Sequence, residues 1–132
     1  MRPRPDGRDL SSVVVFAELE LGKPVVADVS TFEEGVAAAL AGARAVATTM
    51  SGFTAESPAR STPDFDLLSA LVERCKVPII LEGHVWEPAQ VAEAFRRGAH
   101  AVVVGSAITR PQLIARRFVD AVPALEEEGA DA

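Results

Sequence analysis

Residues 36–46 and 92–102 repeat one pattern, in which a helical stretch ends at a glycine and Ala-x-Ala-Val then begins a β-prone run. Glycine at the end of a helix readily adopts the left-handed backbone conformation that turns the chain out of the helix. Helices that lead directly into β-branched strands are typical of parallel sheets connected by helices. The repeated pattern therefore predicts an α/β protein with a parallel sheet.

The rest of the chain shows the same alternation of helix and strand. Strands are predicted at about 25–29, 45–49, 77–82 and 100–105. Helices are predicted at about 31–42, 64–75, 87–98 and 111–126, and a more β-prone helix at about 9–21. Because a full (β/α)8 TIM barrel takes roughly 200–250 residues, the 132 residues of this chain predict half a barrel, with about four parallel strands each followed by a helix.

Composition excludes several kinds of partner. The net charge of −6 argues against nucleic acid, and no apolar run reaches the ~18 residues of a membrane span. The one cysteine, Cys75, cannot form an internal disulfide and fits a reducing cytoplasm. No spacing of His, Cys, Asp and Glu predicts a metal site, and we expect no cofactor. We expect a single, partial barrel domain over 1–132, a flexible tail at 127–132 and no signal peptide at the start.

Residues 105–111, Gly-Ser-Ala-Ile-Thr-Arg-Pro, follow the last predicted strand and open a helix. Small residues let the backbone approach an anion, and the N–H groups at a helix start point towards it. Gly105, Ser106 and Arg110 are therefore predicted to bind a phosphate group, with Arg110 adding charge-assisted hydrogen bonds. Barrel enzymes often bind phosphate after their last strands, so this segment indicates the C-terminal half of a barrel and a phosphorylated small molecule as ligand.

Polar residues or glycine follow the other three predicted strands as well, at the end where barrel enzymes place their chemistry. Asp28 lies in an apolar run, where it either serves a ligand, caps the next helix or bonds backbone groups. Thr49 follows the second strand. Glu82 is a candidate for proton transfer, and Gly83 beside it lets a ligand come close. His84 either contacts the ligand or is simply exposed.

Four further residues are expected to be structural rather than functional. Phe53 could cover a sugar ring, although packing is the favoured interpretation, and Trp86 is a second aromatic residue in a predicted loop. His100 begins a strand at the opposite edge of the sheet, and Cys75 lies at a helix end. We expect these residues to serve packing.

Five segments taken together resemble the N-acetylmannosamine-6-phosphate 2-epimerase family. They are Arg2-Pro-Arg-Pro-Asp-Gly7, Ala27-Asp-Val-Ser-Thr-Phe-Glu-Glu-Gly35, Thr48-Thr-Met-Ser-Gly-Phe-Thr54, Glu82-Gly83 and Val102-Val-Val-Gly-Ser-Ala-Ile-Thr-Arg-Pro111. The resemblance extends, in order, along essentially the whole chain.

The resemblance implies a cofactor-independent epimerisation in sialic-acid catabolism, in which inversion at C2 converts N-acetylmannosamine 6-phosphate to N-acetylglucosamine 6-phosphate. The C2 hydrogen becomes acidic when the sugar opens to its aldehyde, so inversion requires proton removal and return with stabilisation of an enolate. The resemblance implies that Glu82 is the acid/base or polarising group. The remaining assignments that it implies are Asp28, Thr49, Gly83 and His84 at the sugar, Gly105, Ser106 and Arg110 at the phosphate, and Arg2 and Arg4 as further anion contacts.

Two departures from the family pattern predict impaired activity. His84 stands where the family usually has Arg or Lys. The resemblance also implies a catalytic lysine on an early strand, in the half of the barrel that has no counterpart here. Lys23 and Lys76 each precede a predicted strand, at the edge of the sheet opposite the site. Because a five-residue strand is roughly 17 Å long, neither lysine can replace the catalytic one. We therefore expect a truncated gene or a misplaced start.

Two other functions remain open from the sequence. One is a non-catalytic half-barrel that binds a sugar phosphate or self-associates as a homo-oligomer, because a half-barrel leaves two sheet edges uncovered. The other is a different phosphate-binding barrel enzyme, such as a phosphosugar isomerase or an indole-glycerol-phosphate-type synthase. Residues 28–35 and 48–54 argue against the second.

Overall fold

The computed structural model describes residues 7–123 and contains one four-stranded parallel sheet in the order β1-β2-β3-β4. The strands are β1 Val26–Asp28, β2 Ala45–Ala47, β3 Ile79–Leu81 and β4 Ala101–Val102. The helices are α1 Leu10–Val15, α2 Phe32–Leu40, α3 Phe65–Arg74, α4 Pro88–Arg96, α5 Ser106–Thr109 and α6 Pro111–Val119, with a π-helical turn at Phe16–Glu20. The predicted α/β fold, with parallel strands connected by helices, is confirmed. Arg2, Arg4 and the predicted tail at 127–132 lie outside the described residues.

The helix predicted over 111–126 is wrong at its end, and α5 was not predicted at all. Arg110 separates α5 from α6, because a residue before proline is pushed out of the helical region and Arg110 has φ −120° and ψ 87°. Pro123 lies beyond α6, where its missing N–H and its ring prevent the helix from continuing. The helix predicted over 9–21 consists of α1 followed by the π-helical turn.

Side-chain caps or prolines begin four helices, α2, α3, α4 and α6, where the sequence predicts them to start. Thr31 caps α2 by accepting a 3.3 Å hydrogen bond from the Glu34 N–H. Asp64 caps α3 by accepting a 3.0 Å hydrogen bond from the Leu67 N–H. Pro88 and Pro111 occupy the first turns of α4 and α6, where their missing N–H groups need no partner. These caps fix the position at which each helix leaves the carboxyl edge of the sheet.

The core lies between the sheet and helices α1 to α4. Its largest fully buried side chains are Leu68, Leu71, Leu81, Val14, Val29 and Val46. On the other face of the sheet, Val26 is 57% exposed while its neighbour Ala27 is only 4% exposed. The described residues therefore cover one face of the sheet with helices and leave part of the opposite face open. No helix within residues 7–123 is long and apolar enough to span a lipid bilayer.

Gly35 lies where α2 crosses α3, and we expect Gly35→Ala to destabilise the protein. A Cβ at Gly35 would overlap Leu71 Cδ2, and Leu71 is fully buried, so the clash cannot be relieved by moving into solvent. Overpacking costs about 1–3 kcal/mol, whereas the better helix propensity of alanine returns about 1 kcal/mol. The free energy of unfolding, measured with urea, should fall by about 1 kcal/mol.

Ala37→Gly in the same helix is the control, since it measures the propensity effect without a clash. Gly35→Ala leaving stability unchanged or raised would contradict the tight packing of α2 on α3.

Candidate functional site at the carboxyl edge of the sheet

The four strands are parallel, so the residues that follow them meet at one edge of the sheet. A cavity of about 370 Å³ opens at this edge. Six of the predicted site residues line it, namely Thr49, Glu82, Gly83, His84, Gly105 and Ser106. Its apolar wall is formed by Phe53, Val85, Trp86 and Val103. The structure therefore brings together residues from three separate strand ends.

Asp28 lies next to this group and is connected to it through Thr49. The Thr49 hydroxyl donates a 2.9 Å hydrogen bond to Asp28 Oδ1. Asp28 is exposed, and Thr31, not Asp28, caps the following helix. The carboxylate of Asp28 is thus an exposed acceptor beside the cavity, and the capping alternative is wrong.

Glu82 is held by Thr48, a residue that the sequence analysis did not single out. The Thr48 hydroxyl donates a 2.9 Å hydrogen bond to the Glu82 carbonyl and accepts a 3.1 Å hydrogen bond from the Glu82 N–H. Thr48 is 0% exposed, so one buried hydroxyl satisfies both backbone groups of Glu82. A threonine at the end of an apolar strand was the available signal, because a buried hydroxyl needs partners.

His84 has an unusual backbone and an unusual environment. Its φ of +58° follows the φ of +100° at Gly83, and a non-glycine residue adopts such a conformation at a cost of about 1–3 kcal/mol. The imidazole stacks on Phe53 with ring centroids 4.4 Å apart and an interplanar angle of 11°. Its Nε2 atom is buried and has no hydrogen-bond partner within residues 7–123. Simple exposure of His84 is therefore wrong, and Phe53 borders the cavity instead of the core.

The loop that holds Phe53 is anchored by a buried cluster that the sequence did not predict. The Ser51 hydroxyl donates a 2.6 Å hydrogen bond to Asp64 Oδ2, and Arg60 forms an ion pair with the same carboxylate at 3.0 Å. Ser51 and Asp64 are 2% and 8% exposed. Hydrogen bonds between buried polar groups of this kind restrain a loop, because breaking them leaves the groups unpaired.

The predicted phosphate segment is only partly assembled at the cavity. Gly105 precedes α5, and Ser106 begins it, so both line the cavity. Arg110 is exposed at the far end of α5, which spans about 6 Å at four residues. The structure thus places Gly105 and Ser106 in the wall of the cavity but not Arg110.

The remaining candidate residues lie at the opposite, amino edge of the sheet. Lys23 and Lys76 precede β1 and β3, and His100 precedes β4. Cys75 ends α3 at the same edge, and burial raises the pKa of its thiol, which lowers its reactivity at neutral pH. No lysine of the described segment lines the cavity.

The fold and the position of the site define the class of protein as a partial (β/α)8 barrel with polar residues at its carboxyl edge. A family model described as "Putative N-acetylmannosamine-6-phosphate epimerase" matches residues 1–124. The chain belongs to this N-acetylmannosamine-6-phosphate epimerase family, and the resemblance found in the sequence is confirmed.

Two curated relatives, each named "Putative N-acetylmannosamine-6-phosphate 2-epimerase", illustrate the similarity. One from Caldanaerobacter subterraneus is 50% identical over 95 residues, which cover 72% of this chain and 40% of the relative. One from Clostridium perfringens is 42% identical over 119 residues, which cover 90% of this chain and 53% of the relative. This chain therefore spans about half the length of the curated relatives that it matches, or less.

Solved structures agree with a partial barrel. The N-acetylmannosamine-6-phosphate 2-epimerase from Clostridium perfringens matches with a TM-score of 0.84 and 42% identity, over 92% of this chain and 52% of that chain. Thiamine phosphate pyrophosphorylase from Pyrococcus furiosus matches with a TM-score of 0.59 at 21% identity, a likeness of fold alone.

Proposed function

We propose that this chain provides the C-terminal half of the catalytic barrel in an epimerase that interconverts N-acetylmannosamine 6-phosphate and N-acetylglucosamine 6-phosphate. Membership of the epimerase family supports the reaction class. The observation that supports the site most strongly is the convergence of Thr49, Glu82, His84 and Ser106 on one cavity. The single cysteine supports a cytoplasmic location, where the reaction would belong to sialic-acid catabolism.

Glu82 is the proposed acid/base. In the open-chain aldehyde, Glu82 takes the C2 proton, the C2–H electron pair forms a C1=C2 double bond, and the carbonyl π pair moves onto oxygen to give an enolate. Epimerisation is completed when C2 takes a proton on the opposite face, and we propose that a second group donates it there. No lysine from residues 7–123 lines the cavity, and we assign the second group to the other half of the barrel. The reaction is redox-neutral and needs no electron carrier.

The neighbouring groups are proposed to bind the sugar. The Asp28–Thr49 pair offers a carboxylate and a hydroxyl to the sugar hydroxyl groups. Gly83 leaves the approach to Glu82 free of a side chain, and a Cβ at this position would lie 3.4 Å from the Thr49 carbonyl oxygen and 3.8 Å from Phe53 Cε2. Gly105 and Ser106 are proposed to receive the phosphate through backbone N–H groups and a hydroxyl.

Arg110 is the proposed cationic partner of the phosphate, and Arg110→Gln tests this role. Because the side chain is exposed, its contribution is about 1 kcal/mol, or roughly five-fold in affinity. The dissociation constant for N-acetylglucosamine 6-phosphate, followed by the fluorescence of the single tryptophan Trp86, should rise by that factor. Arg116→Gln is the control, since Arg116 is a similarly exposed arginine on α6. If both variants weaken binding of the sugar phosphate equally, Arg110 acts only through long-range electrostatic attraction and does not contact the phosphate.

A coupled assay that follows N-acetylglucosamine 6-phosphate formed from N-acetylmannosamine 6-phosphate tests the proposed function. It is run on this chain alone and with an added polypeptide carrying the first half of the Clostridium perfringens relative. Turnover only in the mixture would support a half-barrel that needs its complement. Turnover by the chain alone would place the second proton-transfer group among its own residues.

The second candidate function is a non-catalytic half-barrel that binds a sugar phosphate, and the absence of a lysine from the described cavity lining favours it. Ligand binding without turnover in either preparation would support this candidate. The absence of both binding and turnover would contradict both candidate functions.

The same preparations test self-association as a homo-oligomer, since β1 and β4 are the two edge strands of the described sheet and unpaired edges favour association. Sedimentation velocity of the chain alone measures it.

A further inference from the structure

We propose that Phe53, supported by His84, is the wall of the substrate site that contacts the N-acyl group of the amino sugar. The proposal rests on the proposed function and deepens it, because it names the residue that distinguishes an N-acyl sugar phosphate from other sugar phosphates.

Phe53 is placed as a binding wall rather than as a core residue. It is 61% exposed and lines the cavity that also contains Glu82. The stacked imidazole of His84, 4.4 Å away, covers one face of the phenyl ring. Because most of the Phe53 side chain stays exposed and it lines the cavity, the ring can contact a ligand there.

The structure supports this ring from behind. A Cβ at Gly52 would lie 2.9 Å from His84 Nε2 and 3.1 Å from Arg60 Cβ, so the imidazole has little room to retreat. Ser51, two residues before Phe53, is fixed by its 2.6 Å hydrogen bond to the buried Asp64. The left-handed backbone of His84, with φ +58°, indicates that the surrounding structure imposes the stacked position at a cost in energy.

The chemistry of the cavity indicates which part of the ligand meets this wall. Thr49, Glu82 and Ser106 provide hydroxyl and carboxyl groups, whereas Phe53, Val85 and Trp86 provide an apolar surface. A sugar phosphate offers hydroxyl groups and a phosphate to the polar side. In an N-acetyl sugar phosphate, the one fully apolar substituent is the methyl of the acetamido group, whose nitrogen is bonded to C2, the carbon that Glu82 must reach. Proton transfer at C2 thus brings the acyl group close to the apolar wall.

Ligand-observed saturation-transfer NMR on the full chain tests the proposal. The probe is N-acetylglucosamine 6-phosphate, and the comparison ligand is glucose 6-phosphate, which has no acyl group. In the unmodified chain, the acetyl methyl protons should receive more saturation than the ring protons. Measured by Trp86 fluorescence, N-acetylglucosamine 6-phosphate should bind roughly four-fold more tightly than glucose 6-phosphate, as expected for burial of one methyl group. Phe53→Ala should remove both preferences.

Phe53→Leu keeps part of the apolar surface and should retain an intermediate preference, while thermal unfolding confirms that each variant is folded. Phe95→Ala is the control, because Phe95 is 52% exposed on α4 and does not line the cavity. A methyl signal that is no stronger than the ring signals, or that survives in Phe53→Ala, would overturn the acyl assignment while sugar-phosphate binding stands. No saturation of either ligand would overturn the proposed function and this inference together.

Discussion

Glu82→Gln is expected to slow exchange of the C2 proton by at least about a hundred-fold while leaving sugar-phosphate binding nearly unchanged. Glutamine keeps the size and the hydrogen-bonding capacity of the side chain but cannot accept or return a proton at neutral pH. General acid–base catalysis contributes roughly 10²- to 10⁴-fold, and the rate should fall by that factor. The measurement is deuterium incorporation at C2 of N-acetylglucosamine 6-phosphate in D₂O, followed by NMR in the preparation that shows turnover.

Glu73→Gln is the matched control, since Glu73 is an exposed carboxylate on α3 remote from the cavity lining. Exchange should continue at the original rate in this variant. If Glu82→Gln exchanges the C2 proton as fast as the unmodified protein, Glu82 is not the acid/base. If it loses binding as well as exchange, Glu82 acts chiefly in holding the sugar.

The architecture was predictable because it depends on local patterns. The glycines in 36–46 and 92–102 predict helix ends, and Gly42 and Gly98 adopt φ values of +105° and +90°. β-Branched runs between helices predict a parallel sheet, and parallel strands place their carboxyl ends at one edge. That geometry is sufficient to bring Thr49, Glu82 and Gly105 together without knowledge of any side-chain contact.

The unpredicted features depend on contacts between residues that are distant in sequence. The stack of Phe53 on His84 joins the loops after β2 and β3, and the sequence contains no pattern for such a pair. The hydrogen bonds of Thr48 to Glu82 likewise cross between these two strand ends. Arg110 is close to Gly105 in sequence, but the four residues of α5 lie between them and Arg110 does not line the cavity.

The two hydrogen bonds of Thr48 connect stability to catalysis, and Thr48→Val is expected to damage both. Valine has nearly the same shape and favours strands, so packing is kept while the buried hydroxyl is lost. The N–H and carbonyl of Glu82 then lose their partner, and unpaired, partly buried groups cost about 1–3 kcal/mol. We expect the free energy of unfolding to fall by about 2 kcal/mol. The C2 exchange rate should also fall, because the backbone that carries the Glu82 carboxyl is no longer held.

Thr48→Ser distinguishes the contribution of the Thr48 hydroxyl from that of its methyl group. Serine keeps both hydrogen bonds and loses one buried methyl, which costs about 0.8 kcal/mol, so its exchange rate should stay close to that of the unmodified protein. Urea unfolding and C2 exchange measured on the two variants give the comparison. Equal losses in Thr48→Val and Thr48→Ser would show that Thr48 acts through packing alone. Loss of stability in Thr48→Val with full exchange activity would show that Glu82 does not need this support to transfer a proton.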